Sequence, residues 1–300
     1  MALLTIALPA KAELNIFACE PEYAALAKEL TLADSAIFSA TTALQDPHFV
    51  QARPSLISKM RRADLVICAG AELEAGWLPM LQSKSNNRDV QSTTNGLFYA
   101  SDHVENLDIP VKVDRSMGDV HSLGNPHVHL DPHRIQQLAN ALSVKLVQLD
   151  PENAQQYQHK LQLFTARWQQ AIPKWQEQAK PLAGTKVIAY HSTFRYLFDF
   201  LNIEQVADLE PKPGMPPTST HLSSLLLTIE QQQVHLVVYS AYQDDKGVNW
   251  LQQKTDVAAV QLPYTIGGNE QVIDLFSMFD QHIKMLTAKL AVTSNNKPEQ

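Results

Sequence analysis

The sequence predicts an α/β protein built as two lobes of parallel sheet separated by a helical middle. Three observations lead there. Short apolar runs alternate with helical stretches across residues 14–82, and the same alternation returns across 186–290. Strands that alternate with helices imply parallel sheets with right-handed crossovers. Residues 132–180, between these regions, hold helical periodicity and almost no strand signal. The length, 300 residues, exceeds that of one ordinary domain, so two are expected. The expected divisions are a leader remnant over 1–12, a first lobe over 13–131, a helical connector over 132–180 and a second lobe over 181–300.

The elements follow in order. Residues 14–18 are a short apolar strand, and 21–30 a helix. Residues 35–40 form a second strand that leads into Asp46-Pro-His48. Residues 55–62 read as a helix with basic residues in its last turn, where they complement the macrodipole. Residues 64–68 are a continuous apolar strand, the pattern of a strand covered on both faces. Residues 72–82 are expected to be helical. Ile135, Leu138, Leu142, Leu146 and Leu149 recur at helical spacing, and Asp150-Pro151 interrupts them. A second helical run carries Tyr157, Leu161, Phe164, Trp168 and Trp175, with Pro173 expected to kink it or lie near its end. The second lobe offers strands at 186–190, 204–209, 234–239 and 257–262. Its helices are expected at 194–201, 220–232, 248–255 and 270–290, with a frayed polar tail from Thr293. Trp77, Trp168 and Trp175 are expected to bury apolar surface where lobes meet helices. Glu210-Pro-Lys-Pro-Gly214 lies beyond a strand end and reads as a stiff turn, which Pro and Gly alone explain, in preference to a lining of the cleft mouth.

Composition narrows the function. A net charge of −7 disfavours a nucleic-acid partner, which requires a basic face. Residues 1–9 are apolar and end in Ala10-Lys-Ala12, an acceptable signal-peptidase pattern, so they read as the tail of a secretory signal whose basic start is missing. No other stretch reaches the ~18 apolar residues of a membrane span. A soluble protein outside the cytoplasm is the expectation. Cys19 and Cys68 each end a strand. An oxidising compartment would let them bond if those strands are neighbours, although adjacent strands in register seldom offer good disulfide geometry. Without a C-x-x-C pair they are poor zinc-ligand candidates. No nucleophile elbow, P-loop or dinucleotide fingerprint is present.

The chemistry concentrates in histidine. Gly124-Asn-Pro-His-Val-His-Leu-Asp-Pro132 carries His127 and His129, with His121 before it and His133 after. His48 lies far upstream and Tyr190-His191 far downstream. Imidazole is the commonest side-chain ligand for zinc. In open α/β sheets ligands bind beyond the carboxyl ends of the strands. Two sheets facing each other across a connector would point His48, His127 and His191 into one cleft.

Four ordered motifs make the reading specific. Asp46-Pro-His48, Ala63-Asp-Leu-Val-Ile-Cys-Ala-Gly-Ala-Glu-Leu-Glu74, Asn125-Pro-His-Val-His-Leu-Asp-Pro132 and Val187-Ile-Ala-Tyr-His191 together resemble the solute-binding proteins of ABC importers for zinc and manganese. The resemblance covers nearly the whole chain after the leader. It implies two (β/α) lobes joined by a long rigid connecting helix, with a metal held between the lobes by His48, His127 and His191. It also implies a periplasmic protein, monomeric and not an enzyme, that delivers Zn²⁺ (alternatively Mn²⁺) to a membrane permease. A periplasmic metallochaperone is a further partner that the resemblance allows. Histidine at 191, where manganese-selective relatives tend to carry Glu, leans towards zinc, because imidazoles suit zinc and carboxylates suit manganese.

One departure stands out. Many relatives place an Asp after the last strand of the second lobe, but here the segment reads Leu262-Pro-Tyr-Thr-Ile-Gly-Gly-Asn269. The fourth ligand is therefore open among water, His121, His129, Asp274 and Glu270. Three histidines and a water also describe a hydrolytic zinc site, but no motif supplies a general base. An extracellular adhesin or zinc buffer on the same scaffold is the other alternative.

Overall fold

The computed structural model describes residues 14–92 and 94–295; the leader expected over 1–12 lies outside them. The first lobe holds β1 (Asn15–Ala18), α1 (Pro21–Leu30), β2 (Ala36–Ser39), α2 (Pro54–Arg61), β3 (Leu65–Cys68), α3 (Leu78–Ser85) and β4 (Leu97–Tyr99). Its strands form an all-parallel sheet in the order β2-β1-β3-β4. Strand β3 is buried at every residue, as its unbroken apolar run predicts. Strand β4 is an addition to the expected elements: three residues after a turn are too short to show a period.

Two helices follow, α4 (Pro132–Leu149) and α5 (Ala154–Ala179). Asp131 caps α4 by accepting a hydrogen bond from the His133 backbone N–H. With the short 3-10 turns at its ends, α5 forms a long central helix spanning 151–182, and Pro173 sits inside it. The second lobe holds β5 (Lys186–Ala189), α6 (Arg195–Leu201), β6 (Glu204–Asp208), α7 (Ser219–Gln232), β7 (Leu236–Ser240), α8 (Lys246–Lys254), β8 (Ala258–Leu262) and α9 (Leu275–Asn295). Its strands repeat the first topology, parallel in the order β6-β5-β7-β8. The two-lobed α/β architecture is therefore as the sequence predicts.

Two further elements differ from expectation. Residues 72–77 do not extend α3. Gly70, Ala71 and Glu72 all take positive φ, and Glu74 folds its carboxylate back to accept the Ala69 and Gly70 backbone N–H groups. Helix α9 begins late because Asp274 caps it through Ser277, and it continues to Asn295, past the tail expected to fray.

Aromatic packing holds α5 in place. Trp168 and Trp175 lie 5.0 Å apart and pack on Phe276 and Phe279 of α9. Their indoles donate to Pro132 O and Asp280 Oδ1, each at 2.7 Å. Burying each such ring contributes about 2 kcal/mol or more. One continuous apolar core runs from α1 through α4 and α5 to α9, so the lobes share a rigid spine. Trp77 serves a different place: it packs inside the first lobe and donates to Pro47 O at 2.9 Å.

The disulfide left open by the sequence is present, joining Cys19 to Cys68 across neighbouring β1 and β3. It closes a loop of 49 residues, which in the chain-entropy treatment stabilises the fold by about 4 kcal/mol.

His282 on α9 is fully buried and donates from Nε2 to Pro263 O at 2.7 Å. Burial pushes it down from 6.5 to about 4. Between these values the unfolded chain binds the extra proton and the folded chain does not, so acid favours unfolding. Stability of the metal-free protein should fall by about 2 kcal/mol from pH 7 to pH 5 through this residue. Urea unfolding at the two pH values checks this, with His282→Gln flattening the dependence.

Candidate metal centre

The site lies where the carboxyl ends of both sheets face each other. His48 follows β2 in a turn that Asp46 organises. The Asp46 carboxylate accepts the His48 backbone N–H at 3.0 Å and its ring Nδ1–H at 2.7 Å. Burial alone would push the Asp46 carboxyl up, but these hydrogen bonds and the neighbouring imidazole outweigh it and hold the group below its usual range. The Trp77 indole pins the intervening Pro47 carbonyl.

His127 sits in the turn before α4 and is fully buried. Its backbone N–H donates to Asn125 Oδ1 at 3.0 Å. Asn125 in turn donates to Ser192 O and accepts the Tyr196 hydroxyl, both from the second lobe. Tyr264, just after β8, places its hydroxyl 3.2 Å from His127 Nδ1. Burial, then the surrounding imidazoles, pushes His127 well below 6.5, which keeps it neutral. His191 lies two residues past β5 and donates from Nδ1 to Glu210 Oε2 at 2.9 Å.

The three rings form a nearly equilateral triangle. Centroid separations are 5.9 Å for His48–His127, 5.9 Å for His48–His191 and 6.0 Å for His127–His191. One ligand nitrogen from each lies within 4.8 Å of the other two. Every Nδ1 is engaged outward, by Asp46, Tyr264 or Glu210. The Nε2 atoms of His127 and His191 are buried and make no hydrogen bond. Buried polar atoms without partners are costly. Lone pairs converging with partnered rings behind them suit a tetrahedral cation of the zinc type.

The remaining candidates separate cleanly. His121 Nε2 approaches His48 Nε2 at 3.2 Å, and burial pushes this imidazole down to about 4, leaving it neutral. His129 is turned away: Nε2 donates to Tyr264 O and Nδ1 lies 3.2 Å from buried Glu22. Asp274 caps α9, and Glu270 is exposed; neither joins the histidine group. Cys19, Cys68 and Glu74 also cluster, but the sulfurs are bonded to each other.

Several residues of the site escape sequence reasoning. Asp46, Glu210 and Tyr264 orient the three rings. Glu210 reads as part of a stiff turn, and Tyr264 occupies the stretch where a carboxylate is sought. Beneath the site, Glu20, Glu22 and Glu74 are buried together. Burial, then Glu74 and Glu22, pushes Glu20 well above the usual carboxylate range, and burial raises Glu74 to about 7. Glu22 accepts the Thr265 hydroxyl and so ties α1 to the second lobe. The one available signal is the pair Glu20 and Glu22 around Pro21 at a helix start.

A two-lobed α/β scaffold with imidazoles converging in its cleft is the architecture of a periplasmic-type metal-binding protein. Residues 16–289 match the family described as zinc-uptake complex component A, periplasmic, and the chain belongs to that family. It is 24% identical over 191 residues to the high-affinity zinc uptake system protein ZnuA of Yersinia pestis, covering 60% of each chain. It is 22% identical over 225 residues to the manganese ABC transporter substrate-binding lipoprotein PsaA of Streptococcus pneumoniae, covering 71% of this chain and 67% of that one. The match thus spans about 60% of the length of the first of these relatives, and neither is named as an enzyme. A crystal structure of ZnuA superposes with a TM-score of 0.76 at 17% identity, covering 95% of this chain and all of that one. The Mn-bound periplasmic metal-binding protein from Candidatus Liberibacter asiaticus gives 0.75 at 12% identity, over 93% of this chain and all of that one. These likenesses establish the fold. Among the described residues no helix is long and apolar enough to cross a membrane.

For a cation held by the three Nε2 atoms, Asp46→Asn and Glu210→Gln should each lower affinity by roughly ten- to hundredfold. Competition against a fluorescent zinc chelator measures this. The two effects should be similar, because each carboxylate oxygen accepts one ring N–H and one backbone N–H.

Proposed function

We propose that this protein captures Zn²⁺ through the Nε2 atoms of His48, His127 and His191 and delivers it to the membrane permease of an ABC importer, working in the periplasm. The observation that carries the reading is the convergence of three imidazoles from separated segments, each held from behind at Nδ1. The all-nitrogen donor set favours zinc, since manganese prefers added carboxylates. The nearest carboxylates, Asp46 and Glu210, are committed to imidazole N–H groups. That commitment also supports a carrier, because a hydrolase needs a base facing the metal-bound water. The Cys19–Cys68 disulfide fits an oxidising compartment. Zinc here is cargo, and the shared core of α4, α5 and α9 favours release by small loop movements over wide hinge closure.

The test is metal analysis with competitive titration of Zn²⁺ against Mn²⁺ on wild type and His127→Ala. One zinc per chain is expected, resisting excess Mn²⁺. Loss of the His127 ligand should weaken binding by more than the roughly hundredfold ceiling for orienting residues. Preferential retention of Mn²⁺ would point to a manganese carrier. Zinc binding indifferent to His127 would sink the assignment.

A further inference from the structure

We propose that the 114–122 segment is a lid that supplies His121 Nε2 as the fourth ligand, completing an all-imidazole tetrahedron around zinc. The inference rests on the three-histidine reading above and commits the open fourth position to one residue.

Distance is the first argument. Zinc–nitrogen bonds of about 2.0–2.1 Å in a tetrahedron place neighbouring nitrogens about 3.3 Å apart. His48 Nε2 and His121 Nε2 are 3.2 Å apart. Because His48 donates its Nδ1 proton to Asp46, its Nε2 is a bare lone pair. A second ring nitrogen at that distance needs a proton or a metal ion between them. A metal ion between them would make this contact one edge of the coordination tetrahedron. His121 lies outside the group of three whose ligand atoms are all within 4.8 Å of one another, so the segment closes further onto His127 and His191 when the ion binds.

The second argument is how the segment is fastened. On the first lobe, Glu72 accepts the Ser122 backbone N–H at 2.5 Å and its hydroxyl at 2.8 Å. Glu72 reaches it from a left-handed turn, with φ of +44° at Ala71 and +70° at Glu72. Side-chain-bearing residues rarely adopt that backbone, and such strain gathers at functional sites. On the second lobe, the Asp119 N–H donates to Pro213 O at 2.9 Å and Lys212 Nζ to Ser116 O at 2.6 Å. Two glycines permit this approach. A Cβ on Gly118 would lie 2.4 Å from Pro213 O, and one on Gly214 would lie 2.4 Å from Asp119 Oδ2. The loop grasped by the lid also carries Glu210, the partner of His191. Lid and ligand orientation are therefore joined, and zinc leaves when the latch opens.

X-ray absorption at the zinc edge decides the question on the wild-type protein, so no variant needs to fold for the test to work. Four imidazoles are expected, and three imidazoles with one oxygen would overturn the proposal. His121→Ala should show three imidazoles and an oxygen, with water in the vacated position. It should bind zinc more weakly by at least the roughly tenfold floor set by orienting residues, and still bind one ion per chain. Gly118→Val, whose side chain would collide with Pro213 O, should speed zinc release to a chelator relative to wild type. An unchanged spectrum in His121→Ala would overturn the lid alone. Zinc binding unaffected by His127→Ala would instead overturn the underlying site.

Discussion

Three imidazole lone pairs facing one another inside a protein are the constraint on which this structure depends. Facing lone pairs repel, and two of these nitrogens are buried without a hydrogen-bond partner. Only a scaffold that over-determines each ring can hold them there. Each ring is fixed from behind by a different kind of group: a carboxylate in its own turn for His48, a tyrosine from the other lobe for His127, and a loop glutamate for His191. The burial that disfavours protonation of His127 leaves it in the form a cation needs.

Rigidity comes from the sharing of one apolar core between the lobes. Helix α5 packs its tryptophans on α9 of the second lobe while one indole reaches Pro132, at the start of the helix that His127 precedes. Buried polar contacts add to this. Glu22 of α1 meets Thr265 and His129, and Asn125 spans to Ser192. An interface fastened in this way resists hinge opening, so motion is left to the surface loops, which carry fewer buried contacts.

Much of the scaffold is legible in the chain. Parallel strands buried on both faces read as short apolar runs, and the leucines of α4 keep helical spacing through 18 residues. The failures have local causes. Glu72 and Glu74 belong to a helix-like stretch, yet each carboxylate makes a hydrogen bond that requires the backbone to turn the other way. Strand β4 is too short to declare a period. His129 shares the motif of His127 and differs only in which way the backbone aims it; that aim takes it to Glu22 and Tyr264 O.

The sequence by itself determined the alternation of strands and helices, the helical middle and the three histidines most suited to a metal, because periodicity and residue chemistry are local properties. Tertiary structure alone decided which nitrogen of each ring faces inward, that Tyr264 and Glu210 stand behind two of them, and that His121 rather than His129, Asp274 or Glu270 approaches the cluster. The physical reason is distance along the chain. Tyr264 is 137 residues from His127, and a hydrogen bond across such a span depends on how two finished lobes pack, which no local pattern records.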